Sequence, residues 1–265
     1  MRMCFLLERG VPPRLNPVIA ETCVLLEGRG VQVTALYPEE EVVRLDTLAV
    51  AADLYLLKSN TELALSLATA IERLGGRVLN RCSGARLAAS KVLSAAALFQ
   101  AGIATPRSLV AGQPAQVAAE LAAGPLILKP HGGHYGRGIT VVDSPAALPP
   151  ADAYPHLVFA QRFLARARTD LKVFGIGDEV FGLRKSFSPD SFLQAGELSP
   201  LSPSVEGMAR RCGHAFGLDL YGLDFAEDED GGEYIVDVNS FPGYRGVPDA
   251  ARRLAEHIMT AAGTR

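Results

Sequence analysis

The sequence predicts a chain of mixed α/β and α+β class, and three observations carry that prediction. Through the first third, short apolar runs alternate with helix-period stretches, the pattern of a parallel sheet flanked by helices. In the later part, strand candidates lie beside tight-turn signals, Gly177-Asp178 and Asp230-Gly231-Gly232, which predicts antiparallel hairpins. Between the two regions sits a glycine-rich loop rooted on a lysine. The 265 residues are long for one compact domain and short for three full ones, and 48% apolar content is enough for a sizeable core.

Taken in order, residues 3–7, 31–37, 53–57 and 77–80 read as strands, with helices at 16–28 and 61–74 between them. Gly30 and the pair Gly75-Gly76 stand where glycine ends a helix. No Gly-x-Gly-x-x-Gly follows the first strand, which argues against a dinucleotide site. A helix at 90–101 follows, then a strand at 107–110, a short Ala-rich helix at 114–122, and strands at 126–129 and 139–143. Residues 144–154, rich in Ala and Pro, read as a surface connection. Strands at 157–161, 171–175 and 180–185, a helix at 204–216, strands at 221–226 and 233–238, and a helix at 248–262 complete the chain. There is no internal repeat and no low-complexity segment.

Composition excludes several classes of function. A net charge of −3 gives no general pull toward nucleic acid or an acidic membrane surface, so local sites must carry any phosphate recognition. Cys4, Cys23, Cys82 and Cys212 are scattered without Cys-x-x-Cys spacing, which suits buried thiols in a reducing cytosol. With no apolar run approaching about 18 residues, a soluble, cytoplasmic protein is expected. The five histidines form no metal or triad pattern, and no nucleophile elbow is present.

Lysine is scarce: five against 21 arginines. Lys58 ends an apolar run, Lys91 opens a helix, Lys129 ends Pro125-Leu-Ile-Leu, and Lys172 and Lys185 lie in a hairpin. A compact ammonium suits a phosphate contact in a narrow cleft where a planar guanidinium lacks room. Lys129 runs into Lys129-Pro-His-Gly-Gly-His-Tyr-Gly-Arg-Gly-Ile139, whose Gly132, Gly133, Gly136 and Gly138 let backbone N–H groups turn toward an anion. It is not a Walker A loop, because no Gly-Lys-Ser/Thr opens a helix. His131 and His134 in this loop are candidates to touch a phosphate or an acceptor.

A second site is acidic. Asp237 and Asn239 are two apart on one strand and therefore share a face, and a hairpin would set Asp224 beside them. Such an all-oxygen set suits Mg²⁺, with phosphate and water oxygens completing the shell. A third site is positive: Lys172, Arg184 and Lys185 in the 171–186 hairpin are candidates for phosphate or acyl-phosphate contact, provided the register aligns their faces.

The order of these parts resembles the ATP-grasp superfamily, from about residue 53 to the last helix. That resemblance implies ATP held between two α+β lobes, after an N-terminal Rossmann-like domain over residues 1–82. The central lobe would span 83–156, and the C-terminal lobe, with the hinge and metal site, 157–265. It further implies ATP and Mg²⁺ as cofactors, with Mn²⁺ as a substitute. Lys91 and Lys129 would contact phosphates. Val158-Phe-Ala-Gln161-Arg162-Phe163-Leu164 would be the adenine hinge, with Gln161 at its start and Asp170 near the ribose. Asp224, Asp237 and Asn239 would be the metal ligands.

Two branches are similar to this chain. Gly75-Gly-Arg-Val-Leu-Asn80, Ser90-Lys91 and Ala101-Gly-Ile-Ala-Thr-Pro106 resemble the RimK-like ligases, which phosphorylate a carboxylate and join it to an amine. Gln161-x-Phe-Leu, Lys172-Val-Phe and the run from Asp237 to Val247 resemble the inositol tris/tetrakisphosphate kinases. Asp237 departs from the Glu usual in the ligases; the short glycine loop, with His134 out of position, departs from the kinases. The expectation is a Mg-ATP-dependent ligase, with a small-molecule kinase as the alternative. The substrate would be a small molecule or peptide, with Lys58, His134, Ser240 and Gly243 as contacts, and a homo-oligomer is compatible.

Overall fold

The computed structural model describes residues 1–8, 15–130, 138–164, 169–186 and 196–263. The N-terminal alternation folds as expected. Strands β1 (Arg2–Leu6), β2 (Gln32–Leu36), β3 (Leu54–Leu57) and β4 (Val78–Leu79) form a parallel sheet in the order β2-β1-β3-β4. Helix α1 (Pro17–Glu27) starts where the Asn16 Oδ1 accepts from the Val18 N–H at 2.9 Å, with Pro17 pre-set for the first turn. Helix α2 (Glu62–Arg73) is capped in the same way by Thr61.

Two helices follow where the sequence reading has one. Helix α3 (Cys82–Ala89) runs into α4 (Lys91–Gln100), and Ser90 lies between them with φ −103° and ψ 114°. One extended residue ends the first helix and caps the second, its Oγ accepting from the Leu93 N–H. The α3 segment has no side-chain cap of its own and carries Gly84 in its middle, so local signals hide it. Gly84 is required by packing: a Cβ there would lie 2.3 Å from the Phe216 carbonyl oxygen.

The central antiparallel sheet has the order β5-β8-β6-β7, from β5 (Ser108–Ala111), β6 (Leu126–Pro130), β7 (Thr140–Val142) and β8 (Val158–Arg162). The Ala-rich stretch winds as a 3-10 helix, Pro114–Ala123, rather than an α-helix. The surface connection is only partly at the surface. It contains two single 3-10 turns, Pro145–Ala147 and Ala151–Ala153, but Tyr154 is 3% exposed and donates to the Gly138 carbonyl at 3.0 Å.

A third sheet is antiparallel, β11-β10-β9-β12-β13, from β9 (Thr169–Ile176), β10 (Glu179–Ser186), β11 (Glu197–Leu198), β12 (Leu220–Glu227) and β13 (Glu233–Ser240). Helix α5 (Pro203–Phe216) covers one face, where Val173, Leu223, Phe225 and Val238 meet Val205, Met208 and Phe216. The other face joins the N-terminal sheet. Phe174, Ile176, Leu183, Phe241 and Tyr244 share one core with Met3, Phe5 and Leu56, with Ile19 of α1 and with Leu254 of the last helix, α6 (Ala250–Gly263). The N-terminal sheet is therefore fastened to the third sheet by a common core.

Candidate active site

Three of the five lysines bear on one acidic strand. Lys129 is 6% exposed and points off β6 toward β13, donating to the Gln161 Oε1 at 3.0 Å and to the Val236 carbonyl at 3.1 Å. Gln161, on β8, is held in turn by its Nε2 bond to the Ser108 Oγ. Lys91 opens α4 and lines a cleft with Ser94, Thr105, Phe159, Gln161 and Asp237. The Lys172 Nζ on β9 lies 2.7 Å from the Asp224 Oδ1. These lysines come from three elements and close on β13.

The strand register produces the acidic cluster. Asp224 pairs with Asp237 across β12 and β13, and with Lys172 across β12 and β9, so all three share a face. Asn239 pairs with Gly222 two residues along, on that same face. Burial, then the neighbouring Asp224 carboxylate, push the Asp237 carboxyl above the usual carboxylate range. The charges of Lys129, Lys91 and Lys172 pull it back down. Two carboxylates held side by side in a partly buried place fit a divalent cation. Among the described residues no three His, Cys, Asp or Glu form a metal cluster, so Asp224, Asp237 and Asn239 would leave room for phosphate and water oxygens.

Arg184 is set apart by the same register. It pairs with Leu171, while Lys172 pairs with Leu183, so Arg184 lies on the α5 side of the sheet, away from Lys172. There its Nε donates to the Ser199 Oγ at 3.3 Å. The expected grouping of Lys172 with Arg184 is corrected by this one-residue offset. Lys185 pairs with Asp170 in the ladder, and the side chains of both lie outside the described residues. Gly132, Gly133, His134 and Gly136 also lie outside them. Gly138 is described, with φ 73° and its carbonyl held by Tyr154.

At the hinge, the Arg162 N–H donates to the Arg107 carbonyl and the Phe163 N–H to the Pro125 carbonyl. The Arg162 guanidinium binds the Glu120, Gly124 and Pro125 carbonyls, so it fastens the 3-10 segment rather than facing the cleft. Both of these N–H groups are thus engaged within the protein. Among the suggested acceptor contacts, Lys58 follows β3 and lies over the Phe241 ring at 5.8 Å from its centroid. Burial lowers its ammonium to about 8, opposed by the Glu8 charge. Gly243 abuts the Asn16 amide; a Cβ there would meet the Nδ2 at 2.7 Å. Ser240 is a correction. It is 2% exposed and its Oγ accepts from the Asn80 Nδ2, so it is an interior tie and no substrate contact.

Sequence reasoning missed Tyr154 and Ser108 and quoted Asn80 only within the resemblance carried by residues 75–80, because all three act through long-range hydrogen bonds.

A family model of the RimK-like ATP-grasp domain matches residues 88–261. The chain belongs to that family. Over 179 residues, 62% of the chain, it is 31% identical to a protein of Mannheimia succiniciproducens described as a probable alpha-L-glutamate ligase. The chain aligns to 60% of that relative's length. A shorter match, 34% over 62 residues (23% of this chain, 16% of the relative), is to inositol-tetrakisphosphate 1-kinase of Xenopus laevis. In fold, a RimK-domain ATP-grasp protein of Sphaerobacter thermophilus superposes with a TM-score of 0.77 at 19% identity, covering 98% of this chain and all of the other. The ATP-grasp architecture is thereby shown, and both resemblances read from the sequence recur among the relatives.

Proposed function

We propose that this RimK-like ATP-grasp protein is a Mg-ATP-dependent ligase that phosphorylates a substrate carboxylate and lets an amine capture the acyl phosphate. The observation that carries the reading is the Asp224–Asp237 pair, with Asn239 on its face and Lys91, Lys129 and Lys172 around it. The three lysines hold the triphosphate. Asp224, Asp237 and Asn239 hold Mg²⁺, or Mn²⁺ in its place, which supplies charge neutralisation at the transferring phosphoryl group. Gly132, Gly133, Gly136 and Gly138 cover the phosphates from the loop after β6. The main chain at Arg162–Leu164 reads the base through its carbonyls and the Leu164 N–H, since the other two N–H groups are engaged. Asp170 meets the ribose, and Lys185 stands with Lys172 on the acceptor side. Lys58, His134 and Gly243 line the acceptor.

The chemistry asks little covalent work of these side chains. Lys172 orients the phosphoryl group in line with an incoming carboxylate oxygen, and the ammonium charges stabilise the diphosphate of the leaving ADP. The acyl phosphate then loses inorganic phosphate when the amine attacks its carbonyl carbon.

The acceptor is a small molecule or a peptide. The likeness to alpha-L-glutamate ligase favours an amino-acid carboxylate; the net charge of −3 disfavours a polyphosphorylated substrate. A kinase of the inositol polyphosphate type is the second reading, favoured by Asp237 and by the 62-residue match. Gamma-labelled ATP separates the two. A ligase releases label as free phosphate only when acid and amine are both present; label covalently retained on a hydroxyl acceptor overturns the ligase reading.

A further inference from the structure

We infer that Asn80 is the positioning residue that fixes the metal strand in register, an inference that rests on the metal reading given above. Asn80 follows β4 in the N-terminal domain and is 1% exposed. Its carboxamide is fully used by the third sheet. The Oδ1 accepts from the Asp219 N–H at 3.0 Å and the Leu220 N–H at 2.9 Å. The Nδ2 donates to the Leu220 carbonyl at 2.7 Å and to the Ser240 Oγ at 2.9 Å.

These bonds sit at a particular place in the ladder. Tyr221 pairs with Ser240 at the end of the β12–β13 register, the Phe241 N–H donates to the Leu220 carbonyl just beyond it, and the Asn80 side chain binds both strands at that end. Four rungs separate that end from a bulge between Asp224 and Phe225. The rungs are Tyr221–Ser240, Gly222–Asn239, Leu223–Val238 and Asp224–Asp237, and they hold every proposed metal ligand. Beyond the bulge the pairing has already slipped by one residue, to Phe225–Ile235. The four rungs are therefore continuous in step only with the Asn80 end. A slip of one residue would turn Asp237 and Asn239 to the α5 face.

The N-terminal domain holds this end twice. Asn80 binds Ser240, and Lys58 lies over Phe241, the next residue. The domain that carries the proposed acceptor contact is thus joined directly to the strand that carries the metal ligands. A buried amide serving only the general fold could be lost at the expense of stability alone. A positioning amide must also change how the cation is held.

Two variants test this. Asn80→Asp sets a carboxylate oxygen against the Leu220 carbonyl and loses both donors with almost no change of shape. Ser240→Ala removes one bond, leaves the Nδ2 on Leu220, and decides the question alone if the first variant does not fold. Mn²⁺ affinity is measured by electron paramagnetic resonance with saturating ADP, alongside ADP affinity without metal and the melting temperature. The expected result is Mn²⁺ binding weakened several-fold in Ser240→Ala and more in Asn80→Asp, with metal-free ADP affinity within twofold of the parent. Unchanged Mn²⁺ affinity with a lower melting temperature makes Asn80 a structural tie and overturns the inference. Asp237→Asn is run in parallel: parental Mn²⁺ affinity there overturns the metal reading, and this inference with it.

Discussion

Asp224 and Asp237 stand directly opposite one another across the β12–β13 ladder, two carboxylates on one face with Lys172 bonded to the first. Without a metal ion that arrangement is unfavourable, because burial and then the neighbouring Asp224 charge push the Asp237 carboxyl up. Asp237→Asn keeps the shape and removes the conflict. We expect turnover to fall by at least about 10²-fold, since a metal contributes several kcal/mol at the transferring group. The melting temperature without metal should hold or rise. A melt and a coupled ADP-release assay check both halves, and retained turnover would remove the metal assignment.

Lys129 bridges two elements, with its ammonium shared between Gln161 on β8 and the Val236 carbonyl on β13. Lys129→Met keeps most of the stem and deletes the charge. Charge-assisted hydrogen bonds are worth about 1.5–3 kcal/mol, so the nucleotide dissociation constant should rise roughly 10- to 100-fold. Titration calorimetry with ADP measures it directly. An unchanged constant places the phosphates elsewhere.

Gly84 opposes two general effects. Alanine in a helix interior ordinarily gains about 1 kcal/mol over glycine. Here the added methyl would lie 2.3 Å from the Phe216 carbonyl oxygen and 3.2 Å from that of Gly217, backbone atoms that cannot swing aside. Overpacking of this kind costs about 1–3 kcal/mol, so the clash wins. Gly84→Ala should lower the melting temperature by several degrees. A higher one would mean that α3 and α5 can separate freely.

Where local pattern decides structure, the sequence was readable. Apolar runs on either side of a tight-turn signal predicted both β12 and β13, and the Asp237-x-Asn239 spacing alone placed two side chains on one face. Asp224 needed only the hairpin turn at Asp230-Gly231-Gly232 to join them. Register was not readable. Nothing local says that Lys172 meets Leu183 rather than Arg184, yet that single offset sends Arg184 to the α5 face. Tertiary ties were equally hidden. Tyr154 sits in an Ala- and Pro-rich stretch that looks solvated, and only its burial against Gly138 and Leu128 reveals what it holds. Ser240 showed the reverse error: a polar residue in a promising motif that serves the interior.

Lys58 links stability to the proposed acceptor contact. Its ammonium is buried with no carboxylate in ion-pair reach among the described residues, and its folded-state value falls to about 8 from 10.5. For a base lowered on folding, the unfolded chain binds more protons between those two values, so stability rises with pH across that window. Below about pH 8 the cost of burying the charge is present in full; above 10.5 both states are neutral and it disappears. Lys58→Met should therefore raise the melting temperature at pH 7, and the gain over the parent should shrink steadily from pH 8 to pH 10. If Lys58 also grips an anionic group of the acceptor, the same variant should raise the acceptor KM at least about tenfold with little change in nucleotide affinity. Melts across pH test the first half and steady-state kinetics the second. A gain in stability that is flat with pH would mean the benefit comes from packing of the methionine rather than from removal of a buried charge.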